Sequence, residues 1–456
     1  MGVETALYSG VSGLSATSNA MNVIGNNLAN SQTTGFKANR SLFSDILASQ
    51  VASASGTSQV GRGVSLATVD TVFEQGSFKG TGVSTDMAID GDGFFMVSHP
   101  NQEGTKYTRD GSFRFDDEGN LVNAMGYRVQ GYSIDENGNV GGELNDIHTD
   151  LSGSIEPSAT TEASFSTNLN QDAEILNGGA FDIENPNASS NFSASVNVYD
   201  SLGAAHPATV YFTKSAANEW SYNVTVPLDE VNDTATGNED ILVVADGDLI
   251  FDSNGNLEQV TSGGIGSNPE GPDVYDGSGQ IVSGSTTVTS EDIEWSNEST
   301  IAPIDFTLGE IDRAANDASL TQYSSQSSLV SKSQNGYASG TLSDVSVNEL
   351  GIITGSYSNG QSRELAQVGL AKFANPNGLL RDGSNLFADT QASGLAAVGP
   401  PGSGAGTIRA NSLEQSNVDI AEQFTDMIVT QRIYQANSRS ITTADEMLQE
   451  VVNLKR

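Results

Sequence analysis

Only three side chains in this 456-residue chain, His99, His148 and His206, can act as imidazole bases or ligands, and they stand singly. A hydrolytic or metal site needs partners at set spacings. No H-E-x-x-H, G-x-S-x-G or G-x-x-x-x-G-K-[ST] run occurs. The absence of cysteine removes thiol catalysis, thiolate metal sites and disulfides together. With 57 acidic residues, neighbouring carboxylates such as Asp116/Asp117 and Glu291/Asp292 arise by number alone and specify no glycosidase. One arrangement invites a hard cation. Phe115-Asp-Asp-Glu-Gly-Asn-Leu121, Ile134-Asp-Glu-Asn-Gly-Asn-Val140 and Phe251-Asp-Ser-Asn-Gly-Asn-Leu257 repeat the form apolar-Asp-x-x-Gly-Asn-apolar. A calcium loop of the EF-hand type puts its glycine sixth, whereas here it falls fourth, and Asp86, Asp90 and Asp92 lack a downstream bidentate Glu. Hairpin turns explain the repeat better: Asp accepts backbone N–H bonds and Gly takes a positive φ. Gly61-Arg-Gly63 and Gly91-Asp-Gly93 read as turns on the same grounds. The residues therefore predict no enzyme, no cofactor and no metal.

The elements that frame these turns carry a stronger signal at the two ends of the chain. Leu7, Leu14, Met21 and Leu28 recur every seven residues, with Val11 and Ile24 at the alternate spacing. Ile420, Met427, Tyr434, Ile441 and Leu448 repeat the pattern, helped by Phe424, Ala444 and Val452. A seven-residue apolar repeat demands another helix against it. Burying one such side chain gains roughly 1.5–3 kcal/mol, while fixing each backbone residue costs about 1–2 kcal/mol. The stripes cannot order their helices alone, so the ends pair with each other, with copies, or both. Gly10, Gly13 and Gly25 weaken the first helix by about 1 kcal/mol each relative to Ala, and such glycines permit close approach of a neighbouring helix. The last helix is expected to start near Ser416 or Asn417, through a Ser416-x-x-Asp419 capping box.

Hydrophobic content of 36% and charged content of 17% are low, and 49 glycines suit many short strands. The net charge is −38: residues 1–40 contribute +1 and residues 410–456 contribute −3, so the middle holds −36. Such a surface repels nucleic acid and discourages lateral clumping. No apolar run reaches the roughly 18 residues of a membrane span, so no membrane insertion is expected. The first residues lack the basic and apolar stretches of a secretory signal, which predicts a cytoplasmic protein or export without a signal peptide.

The fold class read from these patterns is mixed and mainly β, with terminal α-helices forming a coiled-coil-like core domain and nested outer β-rich domains. Residues 1–30 form the first core helix, and 31–71 a linker with a short helical segment around Leu42, Phe43, Ile46 and Leu47. Residues 72–145 begin a β body, 146–330 form a β-rich insertion, 331–410 complete the body, and 411–456 supply the last core helix. Phe94–Val97 reads as a buried strand and Asp110-Gly111 as a hairpin turn. Trp220, Tyr222, Val224 and Val226 alternate as one strand of the insertion. Val196, Val198, Val210 and Phe212 mark its neighbours, and Ser358-Asn359-Gly360 reads as a further hairpin turn.

Specific phrases resemble the bacterial flagellar rod and hook axial proteins. At the start these are Gly13-Leu14-x-Ala16, Met21-x-Val23-x-x-Asn26-Asn27-Leu28-Ala29-Asn30 and Thr34-Gly35-Phe36-Lys37. At the end they are Ser412-Leu413-Glu414-x-Ser416-Asn417-Val418-Asp419 and Gln431-Arg432-Ile433-Tyr434-Gln435-Ala436-Asn437. Between them lie Ala88-Ile89-Asp90-Gly91-Asp92-Gly93-Phe94-Phe95 and Tyr107-Thr108-Arg109-Asp110-Gly111. The middle is similar to the hook branch of that family through Tyr199-Asp-Ser-Leu-Gly203 with His206, Leu249-Ile-Phe-Asp252 with Gly255, Tyr357-Ser-Asn-Gly360 and Phe373-x-Asn375-Pro376-x-Gly378-Leu379.

The resemblance implies a structural subunit that polymerises into a short, curved, flexible tube and passes torque from rod to filament, with the terminal stripes as its polymerisation core. It implies a homopolymer touching rod, hook cap and hook–filament junction proteins, located in the extracellular flagellum. It also implies export through the flagellar type III apparatus and its chaperoning factors. Phe43-Ser-Asp-Ile-Leu47 matches the Phe-x-x-x-apolar spacing that the export gate reads; a small packing anchor is the other reading of the same residues. The competing identities are a distal rod protein of the flagellar basal body and, in a different class, a secreted calcium-dependent β adhesin.

Overall fold

The structure, a computed structural model, describes residues 2–46, 49–53, 56–135, 138–150, 153–232, 240–263, 265, 274–275, 281–283, 286–309, 311–312, 317–318 and 320–453. It is mainly β, with one long helix at each end, Gly2–Ala29 and Ile420–Asn453. The chain divides into two compact units. The first comprises 1–153, 342–356 and 362–456, and the second comprises 154–341 and 357–361. In chain order the second is an insertion in the first. Among the described residues no helix is long and apolar enough to cross a membrane.

The first unit is built on an antiparallel sheet whose central order is Ile352–Tyr357, Ser362–Val368, Arg128–Ile134, Phe94–His99, Gln102–Thr108, Leu386–Ala388 and Leu380–Gly383. Phe94–Val97 is buried on both faces, as its unbroken apolar run demands. Met87, Ile89, Phe95, Phe113, Val129, Val368 and Ile408 pack on one side of it, and Phe94, Met96, Tyr107, Phe373 and Phe387 on the other. The second unit pairs a five-stranded antiparallel meander, 192–262, with a sheet centred on Glu162–Asn170. Alternation places Trp220, Tyr222, Val224 and Val226 inside, against Phe165, Leu169, Phe212 and Phe306.

The Asp-x-x-Gly repeat forms turns. Asp116 Oδ1 accepts the Glu118 and Asn120 N–H groups at 3.0 and 2.8 Å, and Asp252 Oδ1 accepts those of Asn254 and Asn256 at 2.8 Å each. Asp135 Oδ1 accepts the Asn139 N–H at 2.8 Å. Asp200 makes the same pair of bonds, and Asn123 and Asn348 make it with Asn in place of Asp. The following glycines at 119, 126, 138, 203, 255 and 351 have φ of 83, 81, 79, 84, 82 and 71°. Burial alone would raise Asp116 and Asp252, but the N–H and amide donors on each hold both below the ordinary 3.8. A depressed folded value contributes stability that is fully present above 3.8 and lost as the pH falls through the lowered values. Asp116→Asn with Asp252→Asn is therefore expected to lose part of that stability at pH 7, about 1 kcal/mol or less, since an amide oxygen closes the same turn at Asn123 and Asn348. The same variant should show a flatter loss of stability below pH ~4 in urea titrations.

Three local expectations are corrected. The segment after the first helix contains a strand pair, Asn39–Asp45 antiparallel to Val64–Thr71, where a linker with a short helix was expected. Its apolar residues are spaced for either element, and contact with the first helix decides: Val64 N–H reaches Ser12 Oγ at 3.3 Å. Asp110-Gly111 does not turn a hairpin. Gln102–Thr108 pairs with Phe94–His99 and Leu386–Ala388, while Gly111 lies against the Met87 backbone, with Met87 N–H to Gly111 O at 3.0 Å. A Cβ at Gly111 would meet Met87 O at 1.7 Å, so close approach requires the glycine. The last helix begins at Ile420, not near Ser416. Asp419 Oδ1 caps it by accepting Ala421 and Glu422 N–H at 2.8 and 3.2 Å, and Ser416 Oγ accepts only the Val418 N–H.

Candidate assembly surface and the buried clasp behind it

The two long helices pack on each other through small residues. On the first helix Gly10, Gly13, Ala16, Ile24 and Asn27 are buried; on the last, Thr430 and Ala444 are, flanked by Met427, Asn437, Ile441 and Leu448. A Cβ on Gly10 would lie 2.8 Å from Ile441 Cγ1, and one on Gly13 would lie 2.6 Å from Asn437 Nδ2. The glycines that weaken the first helix are thus its contact points.

The stripe residues divide. Ile24 is buried, and Leu7, Leu14, Met21, Leu28, Met427, Ile441 and Leu448 are half-buried. Val11, Phe424 and Tyr434 are 55, 48 and 43% exposed, and Ile420 is exposed beside them. The alternate places in the intrachain seam therefore belong to small and polar residues, not to Val11 and Phe424. Val452 lies in the last helix, and its side chain is outside the described residues.

Behind the helices lies a buried ionic clasp. Lys37, 1% exposed, places Nζ 2.6 Å from Glu414 Oε1 and donates to Glu74 O at 2.8 Å. Arg109 Nη1 reaches Glu414 Oε2 at 3.3 Å and its Nη2 donates to Gly91 O at 2.9 Å. Gly76 N–H adds a third donor to the Glu414 carboxylate, reaching Oε1 at 2.9 Å. Burial pushes Lys37 and Arg109 down from their ordinary values, and attraction to Glu414 opposes it in both. Two cations share one carboxylate out of water, and Arg109 Nε is left without a partner. Such an arrangement holds only while each charge keeps its neighbour.

The signature residues converge around this clasp. Asn27 Nδ2 donates to Asn39 O and Gln423 Oε1 at 2.8 and 3.0 Å, and its Oδ1 accepts Asn39 N–H. Asn417 ties Ala38 N–H to the Val72 and Glu74 carbonyls. Gly35, at φ +67°, donates its N–H to Glu414 O at 2.8 Å. A Cβ there would sit 2.6 Å from Asp110 N. Phe36 is buried under the Arg381 guanidinium, 5.3 Å from its ring centre, and Arg381 also donates to Lys37 O. Asn26 and Asn30 bond each other at the end of the first helix. Phe43 is exposed on its strand, and Leu47 lies outside the described residues.

Lys37 and Arg109 were visible only as letters inside the signature phrases, since nothing in the sequence pairs position 37 with 414. A second cluster was equally hidden. In the inserted unit His206 Nδ1 lies 2.7 Å from Glu230 Oε2 and Nε2 3.3 Å from Asp200 Oδ2, with the ring stacked on Trp295 at 3.8 Å. Burial would raise Asp200, but the Asn297 amide, the Ala204 N–H, His206 and the Leu202 N–H together hold it low. Carboxylates face both ring nitrogens, so the histidine ties Asp200 to Glu230. Among the described residues no group of three His, Cys, Asp or Glu side chains is arranged to hold a metal ion.

Comparison with known proteins accords with this arrangement. Family models described as flagella basal body rod protein match residues 7–37, and flagellar hook protein FlgE/F/G D1 domain residues 88–173. Flagellar basal body protein FlaE D2 domain matches 168–337, and flagellar basal body rod FlgEFG protein C-terminal matches 409–454. The flagellar hook protein FlgE of Treponema pallidum is 34% identical over 99% of both chains. That of Salmonella typhimurium is 34% identical over 98% of both, and that of Escherichia coli 33% identical over 99% of this chain and 100% of its own. The crystal structure of Helicobacter pylori flagellar hook protein FlgE2 superposes with a TM-score of 0.48 at 16% identity, covering 74% of this chain and 100% of that one. Matched end to end by these relatives, with both helical termini and the intervening β units included, the chain belongs to the flagellar hook protein family.

Proposed function

We propose that copies of this hook subunit polymerise through the outer faces of their terminal helices into a curved, flexible tube that carries torque from rod to filament. One observation carries the reading: after the two helices pair within the chain, Tyr8, Val11, Phe424, Ile428, Val429 and Ile433 remain exposed. Apolar residues concentrated on helical faces mark an interaction surface. Contacts of this kind that do not close on themselves generate open helices. The acidic, Gly-rich remainder of the chain suits weak, adjustable contacts that give way as the tube bends. In this reading the two terminal helices form the inner core of the tube, and the β units face outward.

The ends of the tube meet rod, cap and hook–filament junction proteins, and subunits leave the cell through the flagellar type III apparatus with its chaperoning factors. Phe43 supplies the first residue of the export element. The role of the subunit is mechanical.

Val11→Asp with Phe424→Asp tests the reading. Both side chains are exposed, so the variant should keep the circular dichroism and melting of the parent, yet form no tubes by electron microscopy at concentrations where the parent does. Tubes of normal yield would refute it.

A further inference from the structure

The intrachain seam of the last helix runs through Thr430, Asn437 and Ala444, seven residues apart. Arg432, Arg439 and Glu446 each follow a seam residue by two, which turns them about 200° around the helix, onto the opposite face. Glu450 continues that stripe, and all four are exposed. The outward face thus carries two cations followed by two anions. The first helix has no charged residue from Leu7 to Ala29, so of the two helices the last one carries the charge pattern.

We propose that neighbouring copies lay these helices parallel and staggered by two heptads, an axial shift of about 21 Å, with Arg432 of one copy beside Glu446 of the next. The inference rests on the polymer reading above. Parallel alignment follows from it, because an antiparallel pairing of the same stripe would close into a two-fold dimer instead of growing. Stagger follows from charge, since an in-register pair sets Arg432 on Arg432 and Glu446 on Glu446. Apolar spacing agrees. The shift that joins Arg432 to Glu446 also sets Ile433 level with Met447 on the flank beside the charged stripe, and these are 46 and 49% exposed. Charge fixes the register, while apolar contact holds it.

Full-length protein with Arg432→Glu should need about 5-fold more protein to assemble at low salt. The deficit should shrink at about 1 M salt, where the screening length is roughly 3 Å. Adding Glu446→Arg to the same chain should restore assembly. The chain has no native cysteine, so Arg432→Cys with Glu446→Cys should give oxidised ladders longer than dimers, and neither change alone should give covalent dimers. Covalent dimers from Arg432→Cys alone would overturn the stagger. So would an Arg432→Glu chain that assembles like the parent while Val11→Asp/Phe424→Asp does not. If that last variant also assembles, the helical seam itself is refuted and the stagger falls with it.

Discussion

Glu414→Gln is expected to lower the stability of the first unit by about 3–5 kcal/mol, the cost of stranding buried charges by removing their partner. For a unit of this size that is a fall of roughly 6–20 °C in its melting transition. The amide keeps the shape of the carboxylate but leaves Lys37 Nζ and the Arg109 guanidinium, 0 and 5% exposed, without a counter-charge. Differential scanning calorimetry of the whole chain reads it as a separation of two transitions, the inserted unit melting where it did before. Adding Lys37→Met to Glu414→Gln should recover part of the deficit, because one stranded cation is then gone. A calorimetric trace unchanged by Glu414→Gln would show that water reaches the clasp.

Gly10→Leu with Gly13→Leu is expected to separate the two helices and abolish tube formation entirely. Each change gains about 1 kcal/mol of helix propensity, so a reading based on the first helix alone predicts stabilisation. The opposite outcome follows from packing, because the Cβ atoms would fall 2.8 Å from Ile441 Cγ1 and 2.6 Å from Asn437 Nδ2. Overfilling such a contact costs roughly 1–3 kcal/mol per site, and the marginal pair has little else to hold it. Gly25→Ala is the internal contrast. A Cβ there meets nothing within 4 Å, so the variant should melt slightly higher than the parent. Helix–helix contact is checked by paramagnetic labels introduced on the two helices, and assembly by electron microscopy. Tubes from the double leucine chain would mean the helices never need this close approach.

The clasp and the seam act at different levels. Lys37, Arg109 and Glu414 fix where both helices leave the β body, and the small residues of the seam fix how the helices meet. What remains exposed is an outer face with apolar and charged residues at regular spacing. A subunit built this way presents its assembly surface on elements whose roots are held by buried charge.

Much of this was legible in the residues themselves wherever the governing interaction is short in sequence. The Asp-x-x-Gly turns close within four residues, so the same letters give the same turn at Asp116, Asp135 and Asp252. Alternation buried Trp220 and Tyr222, and the heptads announced paired helices, because both periods are local geometry. The phrases around Asn27, Gly35, Glu414 and Asn417 announced the family. Tertiary structure alone decided the partners of those residues. Lys37 meets Glu414 across 377 positions, and the clasp draws its charges from three separate parts of the chain. It also decided that glycines would carry the seam, that Asn39–Asp45 and Val64–Thr71 would pair as strands, and that Asp110-Gly111 would serve close approach in place of a hairpin. Each of those outcomes depends on which surface arrives from elsewhere, and a linear pattern holds no record of that arrival.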